Sequence, residues 1–219
     1  MEKRVLMVLD QEFPPDDRVY KEARSLMDNG FDVSIVCYTF TDKPLREEFK
    51  GIHIYRRRIS RFVYKSSVAA LKFPVYFNWW KHYLNEVFKE QSFDIIHIHD
   101  LPLAEVGVHF KKKFSVKLVV DLHENWPSYL TVATHTNTFF GKLLSNNKQW
   151  RAYEKNILKQ ADLIVTVVEE MSGRIQALGH DAAKIVALPN TIEPAEFPQL
   201  QKSGDNERFT LFFAGGINI

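Results

Sequence analysis

The chain has 219 residues, 45% of them hydrophobic and 13% aromatic, with a formal net charge of +2. That length allows one large domain or two small ones around a sizeable core, and the composition excludes wholesale disorder. The near-neutral charge and the absence of any nucleic-acid-binding motif leave no reason to expect a nucleic-acid partner. The single cysteine, Cys37, cannot form an internal disulfide and suits a reducing compartment. The apolar run 5–9 is cut short by Asp10, which argues against a secretory leader. No apolar stretch reaches the roughly 18–20 residues needed to span a bilayer. A soluble, cytoplasmic α/β protein is expected.

In chain order, RVLMVL (4–9) reads as a strand ending in the turn 10–15. Asp16 or Asp17 then caps a helix whose apolar positions Val19, Ala23, Leu26 and Met27 fall at helical spacing. Asn29-Gly30 ends it, and FDVSIVCY (31–38) forms the second strand, completing a β-α-β unit. A polar loop leads to a third strand at 52–56. A basic segment follows, with Arg56, Arg57, Arg58, Arg61 and Lys65, running into an aromatic helix at 71–89. Then come a strand at 93–99, a helix at 103–112, a strand at 117–121, and a long polar and aromatic loop through Thr138. A helix at 142–159, a strand at 162–167, a helix at 169–178 closed by Gly179, and a short strand at 184–188 complete the alternation. Such alternation specifies a Rossmann-like, doubly wound parallel sheet with helices on both faces. Residues 189–207 carry three prolines and a Ser-Gly-Asp-Asn run, and read as a linker. FTLFF (209–213) then looks like a strand running into Gly215-Gly216. The expected organisation is a domain over 1–189, an inter-domain linker over 190–207, and the start of a second domain over 208–219.

The most informative pieces are FDIIHIHD (93–100) and LVVDLHE (118–124), two apolar strands that each stop at His plus a carboxylate. In open parallel sheets ligands gather beyond the carboxyl ends of the strands, so the two endings suggest one polar site on the sheet's rim.

PPDDRVYKEARSLMDNGFDVSIV, FDIIHIHDLP, VVDLHE, ADLIVTVVEEM, IVALPNTIEPAEF and LFFAGGIN, in this order, resemble the N-terminal, acceptor-side half of a family 4 retaining glycosyltransferase of the GT-B fold. The resemblance implies two Rossmann-like domains facing each other across a cleft, the second holding a nucleotide-sugar donor through residues such as Gly215 and Gly216. It implies transfer of a hexose with retention to a glycan or lipid-linked acceptor, in polysaccharide or glycolipid biosynthesis, with no cofactor and no catalytic metal. The family's donor-gripping acidic motif lies in the second half, so this chain alone is expected to be inactive. Many members carry a glycine-rich loop after the first strand; here DQEFPPDDR has no glycine and suits sugar hydroxyls better than a phosphate.

On this basis His123 corresponds to the family's strand-end histidine facing the donor sugar, with Glu124 beside it on the acceptor side. Asp100 orients the acceptor hydroxyl or, alternatively, caps the following helix. Asp16, Asp17 and Arg18 sit where the first loop meets the first helix; one aspartate serves as cap, and Asp16 and Arg18 are acceptor-binding candidates. Asn190 suits an inter-domain hinge, and the loop 126–138 helps select the acceptor. His97 and His99 share one strand face, which invites a rival metal-hydrolase reading with Asp100; otherwise His97 packs between layers with its ring nitrogens bonded. The cations Arg56, Arg57, Arg58, Arg61 and Lys65, with Phe73, Tyr76, Phe77, Trp79, Trp80 and Tyr83, suit an anionic membrane surface on the inner side of the membrane; an ordinary helix burying its aromatics is the other explanation. Other GT-B enzymes, such as a nucleotide-sugar epimerase or a phosphorylase, and a non-enzymatic binding module are the remaining alternatives.

Overall fold

The computed structural model describes residues 2–132 and 144–191. Eight strands form one sheet: β1 (Lys3–Leu9), β2 (Phe31–Thr39), β3 (Arg46–Phe49), β4 (Ile52–Arg58), β5 (Ile95–His99), β6 (Lys117–Leu122), β7 (Leu163–Thr166) and β8 (Ile185–Ala187). Their order is β3-β4-β2-β1-β5-β6-β7-β8, parallel except for the β3–β4 pair. The chain builds outward from β1 in one direction through β2 and β4, then returns to β5 and builds the other way. The strand order therefore reverses between β1 and β5, which is where an open α/β sheet leaves a crevice for ligands.

The helices are α1 (Asp17–Asp28), α2 (Arg61–Lys65), α3 (Val75–Glu90), α4 (Ala104–Phe114), α5 (Trp126–Val132), α6 (Asn147–Ile157) and α7 (Glu169–Ala177). The larger core lies on one face, where Leu6, Ile96, Ile98, Leu118 and Val120 meet Trp80, Leu84, Phe110 and Trp150 from the covering helices. Gly107 lets α4 lie close to the sheet: a Cβ there would stand 2.6 Å from both Ile98 Cγ1 and Leu118 Cδ1. The smaller core lies on the opposite face, where Val19 and Ala23 of α1 cover Met7, Ile35 and Cys37. Asp16 caps α1, its Oδ1 accepting from the Arg18 and Val19 amides at 3.1 and 3.0 Å, and Gly30 at φ 78° ends the turn that follows.

Several expectations are corrected. The polar stretch before β4 contains a strand, β3. Lys50 and Gly51, at φ 51° and 84°, form the two-residue turn that suits a tight hairpin. REEF was unreadable as a strand because, at the sheet edge, it needs only alternate residues half-buried. The aromatic helix begins at Val75, after α2 and a 3-10 turn over Ser66–Ala69. The segment read as loop after β6 begins with a helix, α5. The helix expected from 142 begins at Asn147 among the described residues, and most of the linker and all of the expected second-domain segment, with Gly215 and Gly216, lie outside them. No helix among the described residues is long and apolar enough to cross a membrane.

Candidate functional site

The alternation of β-strand side chains divides the HIHD and DLHE endings between the two faces of the sheet. Ile96, Ile98, Val120 and Leu122 go to the larger core. His97, His99, Asp121 and His123 go to the face carrying α1. Asp100 and Glu124 then emerge at the tips and line a cleft of about 570 Å3 with Asp10, Trp126, Tyr129 and Tyr64. This cleft sits at the β1/β5 reversal, because Asp10 follows β1 and Asp100 follows β5.

Asp100 caps no helix. Its φ of 70° and the absence of any side-chain capping bond turn the carboxylate away from the 3-10 turn that follows. Its amide donates to the Asp121 carbonyl at 2.8 Å, which fixes the turn. Burial pushes the Asp100 carboxyl above its ordinary range. Asp10 accepts from the Tyr76 hydroxyl. Burial, with Asp100 adding like charge and the Tyr76 bond opposing, raises Asp10 to about 7. The cleft thus offers carboxyl groups as acceptors for hydroxyl protons, one of them able to carry its own proton near neutrality. Its aromatic walls, Tyr64, Trp126 and Tyr129, present faces on which the C–H side of a sugar ring can pack.

The second group is sealed. His123 Nε2 lies 2.7 Å from Asp121 Oδ2, and His99 Nδ1 lies 3.4 Å from the same oxygen. The two ring nitrogens are 3.2 Å apart, and Glu22 Oε2 of α1 approaches His99 Nδ1 at 3.9 Å. Side-chain exposure is 0% for His99, 1% for Asp121 and 3% for His123. Burial alone would raise the Asp121 carboxyl, but hydrogen bonds with His123 and His99 outweigh it and hold it well below the carboxylate range. Burial and the Asp121 charge push Glu22 up to about 8. His97 stacks on His99 at 4.4 Å, and burial, with His99 beside it, lowers its ring to about 3.

The structure thus separates residues that the sequence placed together. His123 turns its Nε2 inward to Asp121, leaving only Nδ1 for another partner, while the neighbouring Glu124 faces the cleft. Asp16 is occupied by the α1 cap and by Gln11, and Arg18, 3.6 Å from Asp16, lines a separate apolar groove of about 610 Å3 with Asn190. The ligand-capable atoms that converge are those of Glu22, His99, Asp121 and His123; His97 and Asp100 stand outside that set. Nor are both His97 nitrogens bonded, since Nε2 has no hydrogen-bond partner among the described residues.

The membrane assignment fails at Arg56, Tyr76, Phe77, Trp80 and Tyr83, all of which are buried. Arg56 is 1% exposed, bonded through Nε to the Phe13 carbonyl at 3.0 Å and through Nη1 to Pro44 at 2.8 Å, and paired with Glu47 at 2.6 Å. Trp80 is fully buried, as are Tyr76, Phe77 and Tyr83, because α3 turns these rings into the larger core. Trp79 packs partly against the same core. Arg57 pairs with Glu86 and Arg58 with Asp42, while Arg61 and Lys65 are exposed.

Glu22, Asp10 and Asp121 were missed as site residues. Glu22 had a signal: it lies in the apolar stripe of α1 between Val19 and Ala23, where a carboxylate has no reason to be. Asp10 repeats at β1 the apolar-run-then-acid ending of β5.

An open sheet reversing at β1/β5, with a polar cleft over the reversal, is the architecture of one half of a GT-B glycosyltransferase. The family model described as Glycosyltransferase Family 4 matches residues 18–196, and the chain belongs to that family. Among solved structures, sucrose-phosphate synthase of Thermosynechococcus elongatus aligns with TM-score 0.64 at 13% identity, over 86% of this chain and 48% of that one. A Medicago truncatula protein complexed with UDP-glucose aligns with TM-score 0.58 at 11% identity, covering 90% and 54%. Anabaena HepE in complex with UDP and glucose aligns with TM-score 0.53 at 14% identity, covering 88% and 45%. These likenesses show the fold. The chain spans about half the length of each of these three structures. No curated protein matches it.

Proposed function

We propose that the chain is the acceptor-side half of a two-domain glycosyltransferase, which moves a hexose from a nucleotide-sugar to a glycan or lipid-linked acceptor with retention of configuration. The observation that carries this is the cleft at the β1/β5 reversal, with Asp10, Asp100 and Glu124 among aromatic walls. In this reading the acceptor ring packs on Trp126 or Tyr129. Asp100 and Glu124 receive its hydroxyl protons, and this holds the attacking oxygen toward the donor. His123, held through Nε2 by Asp121 on the enclosed side, acts by positioning the β6 tip from which Glu124 enters the cleft. The second domain supplies the nucleotide site through Gly215 and Gly216, residues 190–207 join the halves, and Asn190 lies at the hinge.

A lipid-linked acceptor is supported by the rim of the cleft. Tyr64 and Lys65 line the cleft, and in the same α2 segment Arg61 and Phe62, the latter 75% exposed, are open to solvent. In this reading the protein works in the cytoplasm against the inner leaflet, with α2 as the contact. The test is a panel of UDP-, GDP- and ADP-sugars given to the two-domain enzyme with and without membrane lipid extract. Free nucleotide together with a glycosylated lipid supports the proposal. Nucleotide-sugar conversion without transfer, or sugar phosphate as product, assigns the fold to an epimerase or a phosphorylase instead.

A further inference from the structure

We propose that Glu22, His99, Asp121 and His123 bind a single zinc ion, which fastens α1 to the carboxyl ends of β5 and β6. Four ligand atoms, His99 Nδ1, His123 Nε2 and one oxygen each from Asp121 and Glu22, lie within 4.8 Å of one another. Three of their separations, 2.7, 3.2 and 3.4 Å, scatter around the roughly 3.3 Å expected between ligands of a tetrahedral zinc at about 2.0–2.1 Å. Two imidazoles and two carboxylates are a donor set that suits zinc and disfavours magnesium or calcium. With all four positions supplied by protein, the site is closed, as structural zinc sites are.

Protons alone satisfy this group poorly. His99 Nδ1 and His123 Nε2 face each other and Asp121 Oδ2 together, so if both carry a proton the two N–H groups collide. If only one does, the other nitrogen presents a lone pair to its neighbours. Glu22 Oε2 and Asp121 Oδ1 have no hydrogen-bond partner among the described residues, although Asp121 is almost wholly enclosed. A divalent cation meets all four inward atoms as lone-pair donors and cancels the two carboxylate charges, leaving the buried group neutral. It also fixes His123 with its proton on Nδ1. The zinc site itself rests on the cluster's geometry and stands or falls apart from the transferase proposal.

The test uses the protein purified without a polyhistidine tag, stripped with chelator and titrated with zinc alone against a chromogenic competitor. One equivalent is expected to bind, with magnesium failing to displace it. Zinc at about a hundred times its dissociation constant should raise the Tm by about 5–10 °C. His99→Gln, which could also disturb folding, is complemented by Glu22→Gln, a change of similar shape at the margin of the cluster. Each is expected to weaken zinc at least about tenfold. The exposed His53→Ala and His82→Ala are expected to bind zinc as the parent does. Absence of a one-equivalent site, a Tm indifferent to zinc, or full affinity in Glu22→Gln overturns the proposal whether or not the enzyme transfers sugar.

Discussion

On one side of the β5 and β6 tips, Asp100 and Glu124 stand at the mouth of a cleft with aromatic walls. On the other, one residue earlier in each motif, His99 and His123 join Asp121 beneath α1, their side chains almost fully enclosed. The two groups share the same strands and much of the same chemistry, and differ by a single residue of β alternation. That residue decides whether a carboxylate faces the open cleft or becomes part of the frame. On the cleft side the Asp10 and Asp100 carboxyls are raised and the space is open. On the α1 side histidine nitrogens compensate the charge and keep Asp121 ionised.

The largest expected effect breaks the sealed side. Asp121→Ala leaves the enclosed His99 Nδ1 and His123 Nε2 without their carboxylate partner and opens a cavity between them, and should lower unfolding free energy by about 3–5 kcal/mol in urea denaturation. Next comes the cleft floor. Asp10 has a folded pKa of about 7 against an ordinary 3.8, so the folded state keeps a proton that the unfolded chain loses first. Its contribution is fully present below about pH 4 and is lost as pH rises through about 7. Between those limits Asp10→Asn should gain on the parent protein by on the order of 2–4 kcal/mol, read as the difference between the two stability–pH curves. A flat difference would place water rather than protein around that carboxyl.

Asp100→Asn sharpens the comparison from the functional side. It removes a charged acceptor without leaving a hole, and should cut acceptor kcat/KM about 10–100-fold, equivalent to about 1.5–3 kcal/mol, with Tm not lowered. The smallest effect belongs to the exposed rim. Arg58 and Asp42 form a surface pair, so Arg58→Ala should change stability by less than about 0.5 kcal/mol. Adding Arg61→Ala should still weaken sedimentation with vesicles rich in anionic lipid, if the rim meets a membrane as proposed.

The parallel sheet was legible because β1, β2, β5 and β6 are apolar enough to be buried on both faces, and because Asp16 and Gly30 mark the ends of a helical stripe. β3 was not, since an edge strand needs no continuous apolar run. The two motif endings located the rim correctly, but reading His123 and Glu124 as one unit overlooked that adjacent residues on an extended chain point apart. Arg56 and Trp80 looked like surface cations and aromatics because composition does not report direction. Only the loop carbonyls of Phe13 and Pro44, and the core beneath α3, show where those side chains go.

The cleft at the β1/β5 reversal is the proposed place of the acceptor. The most direct measurement follows acceptor glycosylation and donor hydrolysis side by side in the two-domain enzyme and its Asp100→Asn variant. Transfer to the acceptor should fall at least about tenfold while slow hydrolysis of the nucleotide-sugar is unchanged, because only the acceptor has lost its partner. Equal transfer in a folded Asp100→Asn variant would contradict this placement and move the acceptor away from this cleft.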